Sequence, residues 1–295
     1  MEFKVEKIHA GKRLDLYLTL MLPNYSRSNI RKLLDMGKVM RGEEVEYRPN
    51  YKVEEGDVFV VGSEEELQRK SLTPWDVDVE IVYKDKDLVL AYKPAGMNVH
   101  PTSIEDTESL INAVAFKLKD ELTPFGVNLV NRIDKATSGL VALAISPEGA
   151  WHYAKQFAEG RANKTYLAVV SADWFEDYGE EEVHVANFIR YDVIRKRQVV
   201  VQTRGDHAET DFRWEKLTDD SNWGILTVHP RTGRTHQIRL HLESLGYPIL
   251  GDDKYGGKEY PRLLLHAYAL ELAKLGGGKI NVHTSWPKDL QKIRL

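Results

Sequence analysis

Apolar residues recur at regular spacing along most of the chain. In SRSNIRKLLDMGKV (residues 26–39), Ile30, Leu33 and Leu34 fall on one helical face, and Gly37 provides a stop signal. In EIVYKDKDLVLAYKP (residues 80–94), apolar and polar positions alternate on both sides of a polar turn. The first pattern predicts a helix and the second predicts a β-hairpin.

The later part of the chain predicts more strands than helices. A helix is expected after Thr107 as its cap, and another after Ser146 and Pro147, following a buried strand at Leu140–Ile145. Further strand-like runs are TYLAVV (165–170), EVHVANFI (182–189), TDFRWEKL (210–217) and WGILTVH (223–229), before a helix that carries Ile238, Leu242 and Leu245. Because strands and helices do not alternate regularly, the sequence predicts an α+β fold with a mixed, largely antiparallel sheet and flanking helices.

A charge-dense, polar segment divides the chain into two parts. The residues SEEELQRKS (63–71), followed by Pro74, are typical of a linker between packed units. We therefore predict a small α+β module at residues 1–62, a linker at 63–75 and a larger domain at 76–295. The small module is slightly basic, whereas the rest of the chain is acidic.

Composition excludes several classes of protein. The chain has 295 residues, a formal net charge of -4 and no cysteine, so a disulfide scaffold, thiol catalysis and a cysteine-ligated metal are excluded. The N-terminal residues lack the apolar core of a signal peptide, and the longest apolar run, Leu140–Ile145, is too short to span a bilayer. We expect a cytoplasmic protein without a membrane partner.

The net charge of the chain gives no indication of a polyanionic partner, but one local stretch does. The stretch from Ser26 to Arg41 carries five basic residues against Asp35 alone, on a short helix and the turn after it. This pattern predicts an edge that faces phosphates. A solvated helix face produces the same pattern and is its more common origin.

Two polar clusters could carry chemistry. In NRIDKATSGLVALAI (131–145), Arg132 and Asp134 precede a predicted turn at Thr137–Gly139 that enters a buried strand. In HPRTGRTHQIRLH (229–241), three arginines and three histidines surround a glycine turn and a helix. An arginine of that helix could pair with Asp134 and hold it as a charged nucleophile, although a purely structural role for each group remains open.

Metal and nucleotide sites receive little support from the sequence. His236 and His241 are five residues apart, whereas two metal ligands on one helical face need a spacing of three or four. No phosphate-binding glycine loop and no metalloprotease motif are present. Two further candidates stay open: Lys93 lies in a turn that is either hairpin punctuation or a ligand contact, and Tyr166 is either a core or a site residue.

These residues identify a family resemblance. NRIDKATSGLVALA resembles the H-R-L-D-x-x-T-S-G segment of the RluA family of RNA pseudouridine synthases, and four further segments follow in family order. They are LVLAYKPAGMNVHP (88–101), KTYLAVV (164–170), RTGRTHQIRLHLESLGYPILGDDKYGG (231–257) and LLLHAYALEL (263–272). Residues 1–62 resemble the RNA-binding module named after ribosomal protein S-four. The resemblance implies an isomerase of uridine in RNA that needs neither cofactor nor metal.

The resemblance assigns roles to particular residues. It implies that Asp134 is the catalytic aspartate, Arg239 its ion-pair partner and Tyr166 the aromatic residue that stacks on the base, while Arg132 helps to flip the uridine. Substrate contacts are also expected from Asn131 and Ile238. RNA contacts of the module are expected from Arg13, Ser26, Arg27, Arg31, Lys32 and Lys38.

Two departures from the family pattern affect this assignment. Asn131 replaces the usual histidine and Ile133 replaces a leucine. Asn131 retains hydrogen-bonding groups but cannot carry a charge. A catalytically inactive RNA-binding homologue is therefore an alternative, and a hydrolase that uses Asp134 with a second carboxylate is a weaker one.

The resemblance also implies a class of substrate. We expect the target to be large-subunit ribosomal RNA, with transfer RNA as the alternative, and a monomeric enzyme.

Overall fold

The computed structural model describes residues 2–22, 25–35, 37–62, 73–101, 107–123, 125–219 and 221–291. Contacts between residues divide the chain into two units, Met1–Thr73 and Pro74–Leu295. Most of the predicted linker at residues 63–75 lies outside the described residues.

The first unit packs two helices on a small sheet. Its elements are β1 (Glu2–Lys4), a 3₁₀ turn (Lys7–His9), α1 (Leu14–Met21), α2 (Arg27–Asp35), β2 (Val39–Arg41), β3 (Glu44–Val45) and β4 (Val58–Val61). The four strands pair antiparallel in the order β1-β4-β2-β3. Strand β4, the most apolar of the four, therefore lies in the interior of the sheet.

The apolar face of α2 is the one that the sequence predicts. Ile30, Leu33 and Leu34 are buried and join residues of α1 and β4 in one core cluster. Gly37 follows the helix with a φ of +68°, a left-handed conformation that suits glycine. The predicted helix and its stop signal are confirmed.

The second unit is built on one large sheet. Its strands are β5 (Ile81–Lys84), β6 (Leu88–Lys93), β7 (Asn128–Leu129), β8 (Ser138–Ala144), β9 (Asn163–Ser171), β10 (Val183–Asp192), β11 (Arg197–Val201), β12 (Asp206–Leu217), β13 (Trp223–Pro230), β14 (Leu265–Ala273) and β15 (Lys279–His283). Its helices are α3 (Leu110–Lys117), α4 (Pro147–Ala158), α5 (Trp174–Tyr178), α6 (Gln237–Ser244) and α7 (Lys288–Gln291).

The strand order of this sheet is β11-β10-β12-β13-β9-β14-β8-β6-β5, with β15 paired to β14 and β7 paired to β8. Strands β8 and β14 run parallel, and the other pairs among the described strands are antiparallel. Helix α4 packs on β8 and β14, while α6 packs on β11, β12 and β13. The predicted α+β class with a largely antiparallel sheet is confirmed.

Several predicted elements are confirmed, including the hairpin of β5 and β6 and the start of α4. Ser146 accepts a hydrogen bond from the Gly149 amide at 3.0 Å, and Pro147 is the first helical residue, as the sequence predicts. The prediction that Thr107 caps α3 was wrong, because the helix begins at Leu110 after Ser109. Strands β11, β14 and β15 were not predicted from periodicity.

The start of β8 differs from the predicted turn. Thr137 closes the turn by donating its amide to the Asp134 carbonyl oxygen at 3.0 Å, whereas Ser138 and Gly139 already belong to the strand. Gly139 has a φ of +115°, and a Cβ atom there would lie 2.2 Å from the Ala267 carbonyl oxygen. Only glycine therefore permits the close parallel approach of β8 and β14.

Candidate active site

Asp134 lies in the loop that leads into β8, beside the first turn of α6. Its side chain is 24% exposed, so a ligand can reach it. Arg239 of α6 is 5% exposed and places Nη1 at 3.5 Å from Asp134 Oδ2. The loop and the helix, which are about a hundred residues apart in sequence, thus bring together the predicted aspartate and arginine.

Arg239 has a second acidic partner that the sequence analysis did not identify. Its Nε and Nη2 atoms donate to Asp252 Oδ2 and Oδ1, both at 2.7 Å. Asp252 is fully buried, and its Oδ1 also accepts the amides of Lys254 and Tyr255, each at 3.1 Å. Burial alone lowers the pKa of Arg239, but Asp252 outweighs this effect and raises it, so the guanidinium stays charged.

Tyr255 completes the support of the arginine. The Arg239 guanidinium lies 5.0 Å from the centre of the Tyr255 ring, and the Arg197 guanidinium lies 5.3 Å from the same centre. The hydroxyl of this buried tyrosine lies 2.7 Å from His236 Nδ1. The two hydrogen bonds to Asp252 and the face of the Tyr255 ring therefore fix the orientation of Arg239. The remaining nitrogen of its guanidinium, Nη1, is directed to Asp134.

Lys93 holds the loop that carries Asp134. Its side chain is fully buried, and Nζ donates to the carbonyl oxygens of Pro94, Met97 and Lys135 at 2.7, 2.8 and 3.0 Å. Burial lowers the pKa of Lys93 to about 7, and the charge of Asp134 acts in the opposite direction. The three acceptors match the three protons of an ammonium group, so this lysine fixes two loops rather than marking a simple turn.

Tyr166 lies on β9, between β13 and β14. Burial raises the pKa of its hydroxyl, and the nearby Asp134 carboxylate raises it further, so the ring remains a neutral phenol. Lys164 precedes it by two residues and donates to the Thr232 carbonyl oxygen at 2.9 Å. This bond links the tyrosine strand to the loop that leads into α6.

The three predicted substrate contacts differ in their accessibility. Arg132 is exposed two residues before Asp134. Asn131 uses its side-chain oxygen within the fold, accepting the Ala142 amide at 2.7 Å, so the structure gives it a role in anchoring β8. Ile238 is 6% exposed and belongs to the main core, which leaves little of its side chain for a ligand.

In the first unit, three predicted RNA-binding arginines surround one buried carboxylate. Arg13 Nε lies 3.0 Å from Asp15 Oδ1, while Arg27 Nη2 and Arg31 Nε lie 2.9 and 3.6 Å from Asp15 Oδ2. Burial alone raises the pKa of Asp15, but the bonds from Arg13 and Arg27 outweigh it and lower the pKa. The arginines themselves remain partly exposed.

The other predicted contacts of this unit have different environments. Ser26 caps α2 by accepting the Asn29 amide at 3.1 Å, so part of its role is structural. Lys32 is exposed and Lys38 is half-buried.

A basic hairpin of the second unit was not identified from the sequence. At the tip of β10 and β11, Val193 is 77% exposed and Ile194 is 93% exposed. Tyr191 is half-exposed beside them, and Arg190 and Arg195 are also exposed. The predicted strand EVHVANFI (182–189) ends just before these residues, and no element was predicted for the segment that follows it.

The described part of the chain contains neither a candidate metal centre nor a candidate membrane-spanning helix. There, no group of three or more histidine, cysteine, aspartate or glutamate side chains is placed to hold a metal ion. The helices of this part are also all too short or too polar to cross a membrane.

Comparison with known proteins shows which family this chain is similar to. A family model described as RNA pseudouridylate synthase matches residues 87–244. An uncharacterized RNA pseudouridine synthase of Aquifex aeolicus is 36% identical over 88% of this chain and 80% of its own length. Ribosomal large subunit pseudouridine synthase D of Zymomonas mobilis is 32% identical over 96% of this chain and 93% of its own length.

Solved structures share the fold. Human RNA pseudouridylate synthase domain containing 1 has a TM-score of 0.59 at 24% identity, over 71% of this chain and 84% of that protein. Human RNA pseudouridylate synthase domain containing 4 has a TM-score of 0.55 at 26% identity, over 70% and 88% of the two chains. The matched residues include Asp134, Tyr166 and Arg239 within the family model's range. The chain therefore belongs to the family of RNA pseudouridylate synthases, of the RluA type that its motifs resemble.

Proposed function

We propose that this protein isomerises specific uridines to pseudouridine in large-subunit ribosomal RNA. The observation that carries the proposal is the accessible Asp134 carboxylate, which lies 3.5 Å from an arginine held in place by a buried aspartate. The target class follows the names of relatives from Zymomonas mobilis, Borreliella burgdorferi and Pseudomonas aeruginosa, each a ribosomal large subunit pseudouridine synthase D.

The reaction begins with extrusion of the uridine. A base inside a stacked helix cannot reach a side chain at the bottom of a cleft, so the nucleotide must be flipped out. Arg132, which is exposed beside the catalytic loop, fills the place of the base in the RNA. Tyr166 covers one face of the flipped uracil as a neutral aromatic ring.

Asp134 then acts on the nucleoside. The bond between uracil N1 and ribose C1′ breaks, the uracil rotates while it is still bound, and a bond forms between C5 and C1′. The C5 proton then leaves, and N1 carries a proton in the product, so the atoms balance without a redox step. Asp134 acts either at the ribose or at uracil C6, and its pairing with Arg239 supports both schemes.

The buried carboxylate of Asp252 argues against the hydrolase alternative. A retaining glycosidase needs a second carboxyl group that can reach the substrate and give up a proton. Asp252 is fully buried, and both of its oxygens accept hydrogen bonds from Arg239. It therefore supports the arginine and is not available as an acid.

RNA recognition is assigned to two surfaces. We propose that the first unit is an RNA-binding module of the ribosomal protein S-four type. In it, Asp15 forms ion pairs with Arg13, Arg27 and Arg31, whose side chains remain partly exposed to solvent. Guanidinium groups that are held in place in this way suit phosphate oxygens. Lys32 and Lys38 extend the same basic region, and this unit binds RNA independently of the catalytic chemistry.

The hairpin of β10 and β11 supplies the second surface. Its basic residues provide charge for phosphates, while Tyr191 and Ile194 offer aromatic and apolar contacts to unstacked bases. Arg197, the first residue of β11 after the turn, donates to the Lys254 carbonyl oxygen at 3.0 Å and lies 3.3 Å from Glu243. The hairpin is therefore anchored to the elements that hold Arg239.

The experiment that tests this function is tritium release from uridine labelled at C5. Unmodified ribosomal RNA and transfer RNA are each incubated with the wild-type protein and with Asp134→Asn. We expect release from ribosomal RNA by the wild type alone, while both proteins bind RNA equally. Release from transfer RNA alone would change the target, and absence of release with RNA binding intact would favour the inactive homologue.

We also propose that the enzyme acts as a cytoplasmic monomer.

A further inference from the structure

His236 occupies an unusual position in the site. It directly precedes α6 and adopts a left-handed conformation, with φ at 59° and ψ at 18°. This region carries a conformational cost for residues other than glycine, although histidine enters it more readily than most. The conformation places the ring beside Asp134, at 3.8 Å from Nε2 to Oδ2.

The same carboxylate oxygen has both contacts. Arg239 Nη1 lies 3.5 Å from Asp134 Oδ2, and His236 Nε2 approaches that same atom. Among the described residues, Asp134 Oδ1 has no hydrogen-bond or ion-pair partner. The two oxygens of this carboxylate are therefore not equivalent.

Asp134 and Tyr255 together determine which nitrogen of the neutral His236 ring carries the proton. The Tyr255 hydroxyl lies 2.7 Å from Nδ1, and the Gln198 carbonyl oxygen, at 3.4 Å, is the more distant of the two acceptors available to its proton. If Nδ1 carried the only imidazole proton, the lone pair of Nε2 would face a carboxylate, which is unfavourable. The hydroxyl therefore donates to Nδ1 of the neutral ring, and the proton lies on Nε2, facing Asp134. The doubly protonated ring keeps that Nε2 proton as well.

We infer that His236 is a positioning residue for the proposed isomerase: its Nε2–H and Arg239 both act on Asp134 Oδ2, so that Oδ1 is the oxygen presented to the flipped uridine. The catalytic role of His236 in this inference rests on the proposed function. The position of its proton on Nε2 and the proximity of its ring to Asp134 can be measured without any RNA.

The pKa of His236 depends on the charged groups around its ring, so a titration can detect the loss of one of them. Burial lowers the pKa of His236, while Asp134 and Asp252 raise it and Arg239 and Lys254 lower it. Tyr255 is neutral, because burial raises its pKa to about 12. Removal of the charge of Asp134 should therefore lower the pKa of His236 further.

The first test is a pH titration of the protein labelled with ¹⁵N-histidine. The chain has ten histidines, so the His236 signals are identified by their loss in His236→Gly. We expect a proton on Nε2 above the pKa, a lower pKa in Asp134→Asn, and a mixture of both neutral forms in Tyr255→Phe. A neutral ring protonated on Nδ1, or a pKa that does not respond to Asp134→Asn, would overturn the inference.

The second test is single-turnover tritium release by His236→Gly and His236→Gln. Glycine fits the left-handed backbone without strain, so loss of rate in His236→Gly cannot be ascribed to backbone strain at this position. Misplacement of a reacting group by about 1 Å can cost about 100-fold in rate. We expect a loss of up to about that size in His236→Gly at unchanged RNA affinity, with partial rescue in His236→Gln, which restores an N–H donor.

A matched control replaces another left-handed residue. Ser221 has a φ of 57°, and Ser221→Gly should leave the rate unchanged. A wild-type rate in His236→Gly at every pH would overturn the inference. Absence of release by the wild type would instead count against the proposed function, and the titration would still decide the position of the His236 proton.

Discussion

Arg239 makes both of its short contacts with Asp252, at 2.7 Å, and faces Asp134 at 3.5 Å with its remaining terminal nitrogen. Asp252 is the buried member of the two carboxylates, and it accepts a bidentate pair with good geometry. The arginine is therefore oriented before a substrate arrives, and the weaker contact leaves Asp134 available for chemistry.

We expect Asp252→Asn to damage both stability and activity. The substitution leaves the buried guanidinium without its charge partner, and breaking a buried ion pair costs about 3–5 kcal/mol in the free energy of unfolding. Denaturant unfolding and tritium release measure the two effects. Asp253→Asn, at an exposed neighbouring position, is the control and should change neither. Equal stability of both variants would show that Asp252 does not hold Arg239.

Lys93→Met should displace the loop that carries Asp134. The methionine fills a similar volume but leaves the carbonyl oxygens of Pro94, Met97 and Lys135 without the ammonium donor. Each unsatisfied buried acceptor costs about 1–3 kcal/mol, so the variant should unfold at lower denaturant concentration and lose most of its activity. Lys86→Met alters a side chain that is 86% exposed and should behave as the wild type. A fully active Lys93→Met would rule out the positioning role.

The basic hairpin should contribute to the salt dependence of RNA binding. Arg190→Ala combined with Arg195→Ala removes two exposed charges and should weaken binding at low salt. It should also reduce the slope of log affinity against log salt by about 1.4–1.8, as expected for two lost phosphate contacts. Fluorescence anisotropy at several salt concentrations measures both quantities. The matched variant Arg190→Lys with Arg195→Lys keeps the charges and should keep the slope; an unchanged slope in the alanine variant would exclude the hairpin from phosphate contact.

Stability should fall on acidification because of buried histidines. Burial lowers the pKa of His266 to about 4, and the ring nitrogens lie 2.8 Å from Ser138 Oγ and 2.7 Å from Thr284 Oγ1. Between pH 6.5 and pH 4 the unfolded chain binds a proton at this residue and the folded chain does not. The free energy of unfolding should therefore decrease over that window, by about 3 kcal/mol from this residue.

His241 has a similarly lowered pKa of about 4, caused mainly by burial, so it adds to the same acid sensitivity. His266→Gln should remove about half of the combined loss between pH 6.5 and pH 4, as measured by urea unfolding at a series of pH values. His100→Gln, at an exposed position, should leave the pH dependence unchanged. An identical slope for His266→Gln and the wild type would place the acid sensitivity elsewhere.

Local signals in the sequence were sufficient for many of the elements. Ser146 and Pro147 mark the start of α4, because a cap acts within the first turn of a helix. Alternating apolar residues likewise predicted β9, β10, β12 and β13. The cap of α3 was misassigned because Thr107 and Ser109 are both capping residue types, and the choice between them depends on where the helix packs.

The ordered motifs and their resemblance to a family also predicted Asp134, Tyr166 and Arg239 as site residues from the sequence alone. The partners of these residues became evident only in the folded chain. Asp252 and Asp253 are adjacent and chemically identical, yet one is buried against Arg239 and the other is exposed. Neither position has a periodic signature that distinguishes it.

The same distinction separates the charged residues that build the site from those that face solvent. Lys93, Asp15 and His236 look like surface residues in the sequence, because charged and polar side chains are usually exposed. The fold buries the first two and directs the third at Asp134, since each finds a partner that offsets the cost of its desolvation. The sequence by itself determined many of the elements and the family, and it supplied candidates for the reacting residues. Tertiary structure alone decided which charges are paired, because those pairs join segments that lie far apart along the chain.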